Sequence, residues 1–269
     1  MHAAVLGSPI GHSKSPLLHR AAYAALGLTD WTYERIECTG EQLPGLVDGL
    51  ASDWIGLSVT MPGKVAALTY ADERTERAVL AGSANTLVRV DGHWRADCTD
   101  VDGVLGALRE AGTDDLTGTA VTVVGAGGTS RPAIVALAEL GATSVTVVAR
   151  SRERAQDTLD CAAASGVRAA FLAVDDPELA DTAAASSVLV STVPANGAAP
   201  YAHAMAQASV VLDAIYDPWP TPLADAVRGA GGTVVSGLAM LLNQAYGQVE
   251  QFTGRPAPKD EMRAALAAP

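Results

Sequence analysis

The sequence predicts an α/β fold divided between two domains. Three observations predict it. Runs of β-branched and aliphatic residues alternate with helix-length segments along the whole chain. A glycine-rich turn, Gly125-Ala126-Gly127-Gly128-Thr129-Ser130, joins a strand pattern to a helix pattern at mid-sequence. The length, 269 residues, is comfortable for two hydrophobic cores and long for one. The expected division is a first domain over residues 1–100, a second over 101–236, and a helical tail over 237–269 that returns to the first.

In the first domain, Ala3–Leu6 is a short buried strand. Ser15-Pro16 opens a helix, with serine as cap and proline in the first turn, and Gly27 closes it. Trp31–Ile36 alternates as a strand does. Trp54–Thr60 is another strand, broken at Met61-Pro62-Gly63 before a helix near Lys64–Leu68. Thr86–Val90 and His93–Ala96 flank Asp91-Gly92, a two-residue hairpin signal. A helix from Val101 leads out of this region.

The second domain opens with the buried strand Ala120–Val124, a helix over Pro132–Leu140 and a second strand, Val145–Val148. Further strands near Arg168–Leu172, Val188–Ser191, Val210–Ile215 and Thr233–Ser236 are separated by helix-length segments, which implies a mostly parallel sheet. The last apolar helix, roughly Leu238–Phe252, has no further strand to serve and is expected to fold back across the first domain.

Composition narrows the function. A formal charge of −12 argues against a nucleic-acid surface, which needs clustered Lys and Arg. No stretch approaches the roughly 18 apolar residues of a membrane span. The N-terminus reaches Gly7-Ser8-Pro9 too soon for a signal peptide's apolar region. Cys38, Cys98 and Cys161 are odd in number and lack CxxC spacing, so neither a disulfide framework nor a zinc site follows. The histidines show no HExxH pairing, and no metal is expected. A cytoplasmic protein acting on a small molecule, as monomer or homodimer, is the expectation.

The mid-chain turn has the form of a Rossmann fingerprint. Gly125 allows the tight turn, Gly127 lets backbone amides approach a pyrophosphate, and the following helix N-terminus stabilises negative charge. Ser130 takes the third position. The second strand ends in Ala149-Arg150-Ser151-Arg152, where an NAD site usually carries an acid for the ribose hydroxyls. Arginines and a serine there point to a 2′-phosphate, and so to NADP.

Upstream lie four clusters of short polar groups at expected strand ends and turns. They are Ser13-Lys14-Ser15-Pro16, Ser58-Val59-Thr60-Met61-Pro62-Gly63-Lys64, Ser83-Ala84-Asn85-Thr86 and Asp97-Cys98-Thr99-Asp100. Each has a local explanation as a cap or turn. Together they resemble the wall of a pocket for a polyhydroxylated, anionic small molecule.

At these residues the chain resembles the shikimate dehydrogenase family. Gly7-Ser8-Pro9-Ile10-Gly11-His12-Ser13-Lys14-Ser15-Pro16 is similar to its N-terminal signature. Val59-Thr60-Met61-Pro62-Gly63-Lys64, Ala84-Asn85-Thr86 and Thr99-Asp100 match in order. Tyr216-Asp217-Pro218, Thr221-Pro222-Leu223, Gly237-Leu238-Ala239-Met240-Leu241 and Gln244-Ala245 look like its C-terminal signatures. The resemblance implies an α/β substrate-binding domain and a Rossmann-type parallel-sheet NADP domain, with the active site in the cleft between them. It implies interconversion of 3-dehydroshikimate and shikimate with NADPH and NADP+, on the route to chorismate and the aromatic amino acids.

The family's roles carry over by position. Ser13 and Ser15 would hold the substrate carboxylate, with Tyr216 nearby. Thr60, Asn85, Asp100 and Gln244 would bind ring hydroxyls, and Lys64 would act as acid/base beside Asp100. Gly125, Ala126, Gly127, Gly128 and Thr129 would cradle the pyrophosphate, with Arg150, Ser151 and Arg154 on the 2′-phosphate side. The backbones of Ala214 and Gly237 would border the nicotinamide, and Met240 would pack on its ring.

Chemistry supports the pair without the family. Hydride delivery to a ketone builds negative charge on oxygen, and a protonated lysine held by a carboxylate supplies the proton. Asp100 favours the ammonium and burial opposes it, a balance the sequence leaves open. Two departures from the family pattern stand out. Cys98 replaces a usual Asn and is expected to be a packed small residue; Ala149 replaces a common Asn at the second strand's end. Within the family the alternative is a quinate/shikimate enzyme preferring NAD, against which stand the serine pair and the arginines after Val148. A catalytically idle NADP-binding regulator would have little need of Lys64 and Asp100 beside a full hydroxyl-binding set. A methylene-folate dehydrogenase shares the two-domain style but not the serine pair or the Gln244 motif.

Overall fold

Both faces of the first strand are buried, and that organises the first half of the chain. In the computed structural model, which describes residues 1–267, β1 (His2–Gly7) turns Ala3 and Val5 to one apolar core and Ala4 and Leu6 to another. This is the period-two alternation of a strand lying between two layers. The last two residues of the expected tail lie outside the described residues. The chain divides into two compact units, one comprising Met1–Asp102 and the segment from Leu241 onward, the other Gly103–Met240.

In the first unit β1 is followed by α1 (Ser15–Ala25), β2 (Thr32–Glu37), α2 (Leu43–Asp48), β3 (Trp54–Val59), α3 (Lys64–Tyr70), β4 (Glu73–Arg74) and α4 (Glu76–Ala81). Then come β5 (Thr86–Val90), β6 (His93–Asp97) and the start of α5 (Asp100–Glu110). The sheet order is β2-β1-β3-β5-β6-β4. β1 runs parallel to both neighbours, and β5 pairs antiparallel with β3 and with β6 across Asp91-Gly92.

The expected serine cap of α1 is absent. Lys14 occupies the cap position without a side-chain bond, and the Ser15 amide donates to Ser13 Oγ at 3.3 Å. Proline prefers the first turn, so Pro16 draws Ser15 into the helix.

The second unit is built from β7 (Ala120–Val124), α6 (Ser130–Glu139), β8 (Ser144–Ala149), α7 (Arg152–Ala164), β9 (Arg168–Ala173), α8 (Leu179–Ala184) and β10 (Val188–Ser191). It continues through α9 (Ala195–Ala198), α10 (Ala202–Met205), β11 (Val210–Asp213), α11 (Pro222–Gly229) and β12 (Thr233–Ser236). All its strand pairs are parallel, in the order β12-β11-β10-β7-β8-β9. That is the doubly wound order of dinucleotide-binding sheets, with the topological switch between β7 and β10.

α12 (Gly237–Thr253) begins in the second unit and ends in the first. Leu242, Ala245, Tyr246, Val249 and Phe252 join Val5, Leu18 and Tyr33 in one core, to which α13 (Lys259–Ala267) adds Met262. These positions recur at helical spacing, which gives α12 its buried stripe. The opposite face of the sheet packs Leu43, Val47 and Ala67 from α2 and α3. No helix among the described residues is long and apolar enough to cross a membrane.

Candidate active site

Lys64 stands where helix physics would not put it. It is the first residue of α3, after a turn in which the Gly63 amide donates to Thr60 O at 2.9 Å. The positive end of a helix dipole repels an ammonium there. What holds it is Asp100, the first residue of α5, whose Oδ2 accepts from Lys64 Nζ at 2.5 Å. The two side chains are only 12% and 8% exposed. Burial is the strongest single influence on Lys64 and works to lower its pKa. The charge and hydrogen bond of Asp100 together outweigh it, and the pKa lies above the ordinary lysine value. The balance left open by the sequence therefore falls on the side of the ammonium.

A buried amide ties this pair to α12. Asn85 Nδ2 lies 3.1 Å from Asp100 Oδ1, 3.1 Å from Gln244 Oε1 and 3.0 Å from Thr99 Oγ1. Its Oδ1 accepts the Thr99 amide at 2.7 Å. Gln244 Nε2 donates to Leu241 O at 2.9 Å. Lys64, Asp100, Asn85 and Gln244 thus form one connected cluster in the first unit.

Ser13 and Ser15 sit at the N-terminus of α1, and Ser15 is buried. Ser15 is linked to the cluster through a polar relay. Tyr33, whose hydroxyl also bonds the Ser15 side chain, donates to Ser58 Oγ at 2.6 Å, and Ser58 donates to Gln248 Oε1 at 2.7 Å. Gln248 Nε2 then donates to Asn85 O and Thr86 Oγ1, both at 3.0 Å. His19 lies 3.3 Å from Gln248 Oε1, and burial drives its pKa down to about 3 against that hydrogen bond, so it is neutral. Thr60 is half-buried, and its amide donates to Leu6 O at 2.8 Å.

The strand end carrying Asp100 is braced from behind. Arg77 meets Asp97 at 2.5 Å and Asp102 at 2.6 Å, and Gln251 donates to Asp97 Oδ2 at 2.6 Å. Burial opposes ionisation of Asp97, but the Arg77 hydrogen bonds and charge hold its pKa down to about 2. Cys98 is fully buried, and burial pushes its thiol pKa up, with the charge of Asp100 acting in the same direction. It is a packing residue.

The second unit carries the remaining expected residues, and its own features fit a dinucleotide. Gly125, at the end of β7, has φ of 114°, and a Cβ there would overlap Thr192 Oγ1. A Cβ on Gly127 would enter open space, and the Gly127 amide donates to Ser130 Oγ at 3.1 Å. Ala126, Gly128 and Thr129 complete the turn, half-buried. Thr129 is the cap residue of α6 but makes no side-chain cap bond, unlike Thr75, Ser151 and Thr221 on other helices. The open space beside Gly127 at the start of α6 lets a ligand approach the backbone and the positive end of the helix dipole, which suits a pyrophosphate.

Arg150, Ser151 and Arg154 follow β8, with both guanidinium groups exposed and, among the described residues, in no ion pair. Ser151 Oγ caps α7 by accepting the Arg154 amide at 3.4 Å, while Arg152 lies over the Phe171 ring at 6.0 Å. Gly237 lies so close to the Ala214 carbonyl that any side chain would collide with it, so these two backbones are neighbours. Met240 is buried, and Tyr216 is half-buried, its pKa raised by burial and by Asp217.

Sequence reasoning missed Gln248 and Arg77. Gln248 had a signal, since it repeats Gln244 one helical turn later on an otherwise apolar face. Arg77 had none; its partners come from β6 and α5.

Comparison with known proteins bears on the whole chain. Residues 5–87 match the family model for the shikimate dehydrogenase substrate binding domain, residues 107–209 that for shikimate / quinate 5-dehydrogenase, and residues 237–267 that for the shikimate 5'-dehydrogenase C-terminal domain. The shikimate dehydrogenase (NADP(+)) of Caulobacter vibrioides is 38% identical over 265 residues, covering 96% of this chain and 92% of its own. The crystal structure of Mycobacterium tuberculosis shikimate dehydrogenase superposes with a TM-score of 0.94 at 59% identity, covering 100% of this chain and 99% of that one. The Thermus thermophilus enzyme, solved in complex with NADP(H) and shikimate, superposes with a TM-score of 0.83 at 30% identity, over 99% and 98%. With two expected signatures on one buried network and a doubly wound sheet behind its glycine loop, the chain belongs to the shikimate dehydrogenase family.

Proposed function

We propose that this chain reversibly reduces 3-dehydroshikimate to shikimate with NADPH, on the route to chorismate and the aromatic amino acids. The observation that carries this is the buried Lys64–Asp100 pair, held as an ion pair with the lysine pKa raised. NADPH, when bound, supplies the hydride. Lys64 gives its proton to the carbonyl oxygen as negative charge builds there, and takes it back in the reverse direction. Asp100 keeps the amine charged and aimed.

Thr60, Asn85 and Gln244 orient the ring hydroxyls. Ser13 and Ser15, at a helix N-terminus without a side-chain cap, hold the carboxylate with Tyr216. Gly125, Ala126, Gly127, Gly128 and Thr129 hold the pyrophosphate, and Arg150, Ser151 and Arg154 the 2′-phosphate. Ala214, Gly237 and Met240 border the nicotinamide. Three buried free cysteines suit a reducing, cytoplasmic setting.

The test is NADPH oxidation followed by absorbance on adding 3-dehydroshikimate, beside NADPH binding followed by fluorescence. Lys64→Ala is expected to lower turnover by about 10²- to 10⁴-fold while NADPH still binds. Wild-type protein that binds NADPH but never turns over 3-dehydroshikimate would refute the proposal in favour of an idle binder. Higher specificity for quinate with NAD would overturn the choice of substrate and cofactor.

A further inference from the structure

The loop that carries Ser13 is held mainly by side chains. Over residues 8–13 its own backbone contributes two backbone–backbone bonds, from the Ser8 amide to Met61 O and from the Ser13 amide to Ile10 O, both at 3.1 Å. The rest comes from β2, the edge strand of the first sheet. Alternate residues of a strand share a face, so Tyr33, Arg35 and Glu37 point the same way. Each holds a different part of the loop. Glu37 takes the Ser8 hydroxyl at 2.6 Å and the Ile10 amide at 3.1 Å, one on each carboxylate oxygen. Arg35 donates from Nε at 3.0 Å and from Nη2 at 2.6 Å, both to the Ser13 carbonyl. Tyr33 bonds the Ser15 side chain from the buried end.

Resting on the proposed carboxylate role of Ser13 and Ser15, we propose that this face of β2 is the template that sets the carboxylate loop, with Arg35 as its central positioning residue. The chain has 30 acidic against 18 basic residues, yet Arg35 spends two donors on a neutral carbonyl and, among the described residues, forms no ion pair. A planar fork on one oxygen fixes the direction of the Ser13 peptide, and with it the serine hydroxyl, in a way a point charge does not. Arg35 therefore acts through Ser13, on substrate affinity and not on the chemical step.

The experiment compares Arg35→Met, Arg35→Lys and Ser13→Ala in steady-state shikimate oxidation with NADP+. Arg35 is exposed, and the melting temperature checks that each variant folds. Arg35→Met is expected to raise KM for shikimate about tenfold, the worth of one charge-assisted hydrogen bond. The same variant should leave kcat within about twofold, and KM for NADP+ should not move. Arg35→Lys keeps the charge but loses the fork, and most of the rise should remain. Combined with Ser13→Ala, the Arg35→Met effect should vanish, because both act on one group. Full rescue by lysine, additivity with Ser13→Ala, or an unmoved shikimate KM in Arg35→Met would each overturn the template. A silent Ser13→Ala instead overturns the carboxylate role beneath it, so the two failures are told apart.

Discussion

Asp100→Asn should move the pH dependence of the reaction in a direction set by the structure. The carboxylate lies 2.5 Å from the Lys64 amine, and neither side chain is more than 12% exposed. At that distance and an effective dielectric of about 20, the gross attraction is about 7 kcal/mol. Burial cancels much of it, yet the net pKa remains above the ordinary lysine value. Oxidation of shikimate requires the amine unprotonated. In the wild type kcat/KM for shikimate should therefore keep climbing past about pH 10 without a plateau. Removing the charge leaves burial unopposed, and the lysine pKa should fall below its ordinary value. The Asp100→Asn profile should then reach its plateau at a clearly lower pH than the wild type. The plateau should also lie lower, because Asn85 loses its charged acceptor. The assay is kcat/KM for shikimate from pH 6 to 11 in both proteins. A variant profile that rises over the same interval as the wild type would show that Asp100 does not set the charge of Lys64.

Three other perturbations test separate parts of the molecule. Gly125→Ala forces a side chain into a residue with φ of 114° and against Thr192, so NADPH fluorescence binding should be lost, and retained affinity would deny the loop its role. The double variant Arg150→Ala/Arg154→Ala should lower affinity for NADP+ by about 10²-fold, two charge-assisted contacts' worth, while NAD+ binding stays level; equal losses for both would refute the 2′-phosphate assignment. The Asp97 carboxyl, held down to about 2 from 3.8, contributes about 2 kcal/mol of stability above pH 4, lost as pH falls through 2. Denaturant midpoints measured from pH 7 to 2 should show that loss in the wild type, and an identical slope in Asp97→Asn would contradict it.

The fold was legible where a segment's own pattern agrees with its burial. β1, β7, β8 and β10 are short apolar runs because both their faces are covered, and Asp91-Gly92 has the chemistry its hairpin turn needs. Elements that exist through their neighbours were not legible. β4 is two exposed residues, Glu73 and Arg74, visible only as partners of Arg95 and Ala96 on β6. α13 was legible only as part of the helical tail expected over 237–269, because Met262 is its one buried side chain. α2 contains Pro44 and Gly45, both poor helix formers, and folds because Leu43 and Val47 reach one core.

The site divides along the same line for a different reason. Lys64 at a helix start, polar glutamines on the buried side of α12 and arginines where an acid is usual all break a local rule. A broken local rule is the mark that a folded-state partner compensates. Arg77 in a helix and Arg35 on an edge strand break none. A helical arginine and a charged edge residue are both ordinary, so nothing in their own segments marks them. Yet Arg77 holds the Asp97 carboxyl ionised, and that carboxyl accepts the Cys98 amide two residues before Asp100. The residues proposed to touch substrate and cofactor are therefore visible by their local cost. Those that hold such residues in place are visible only by the distances between segments that the sequence keeps far apart.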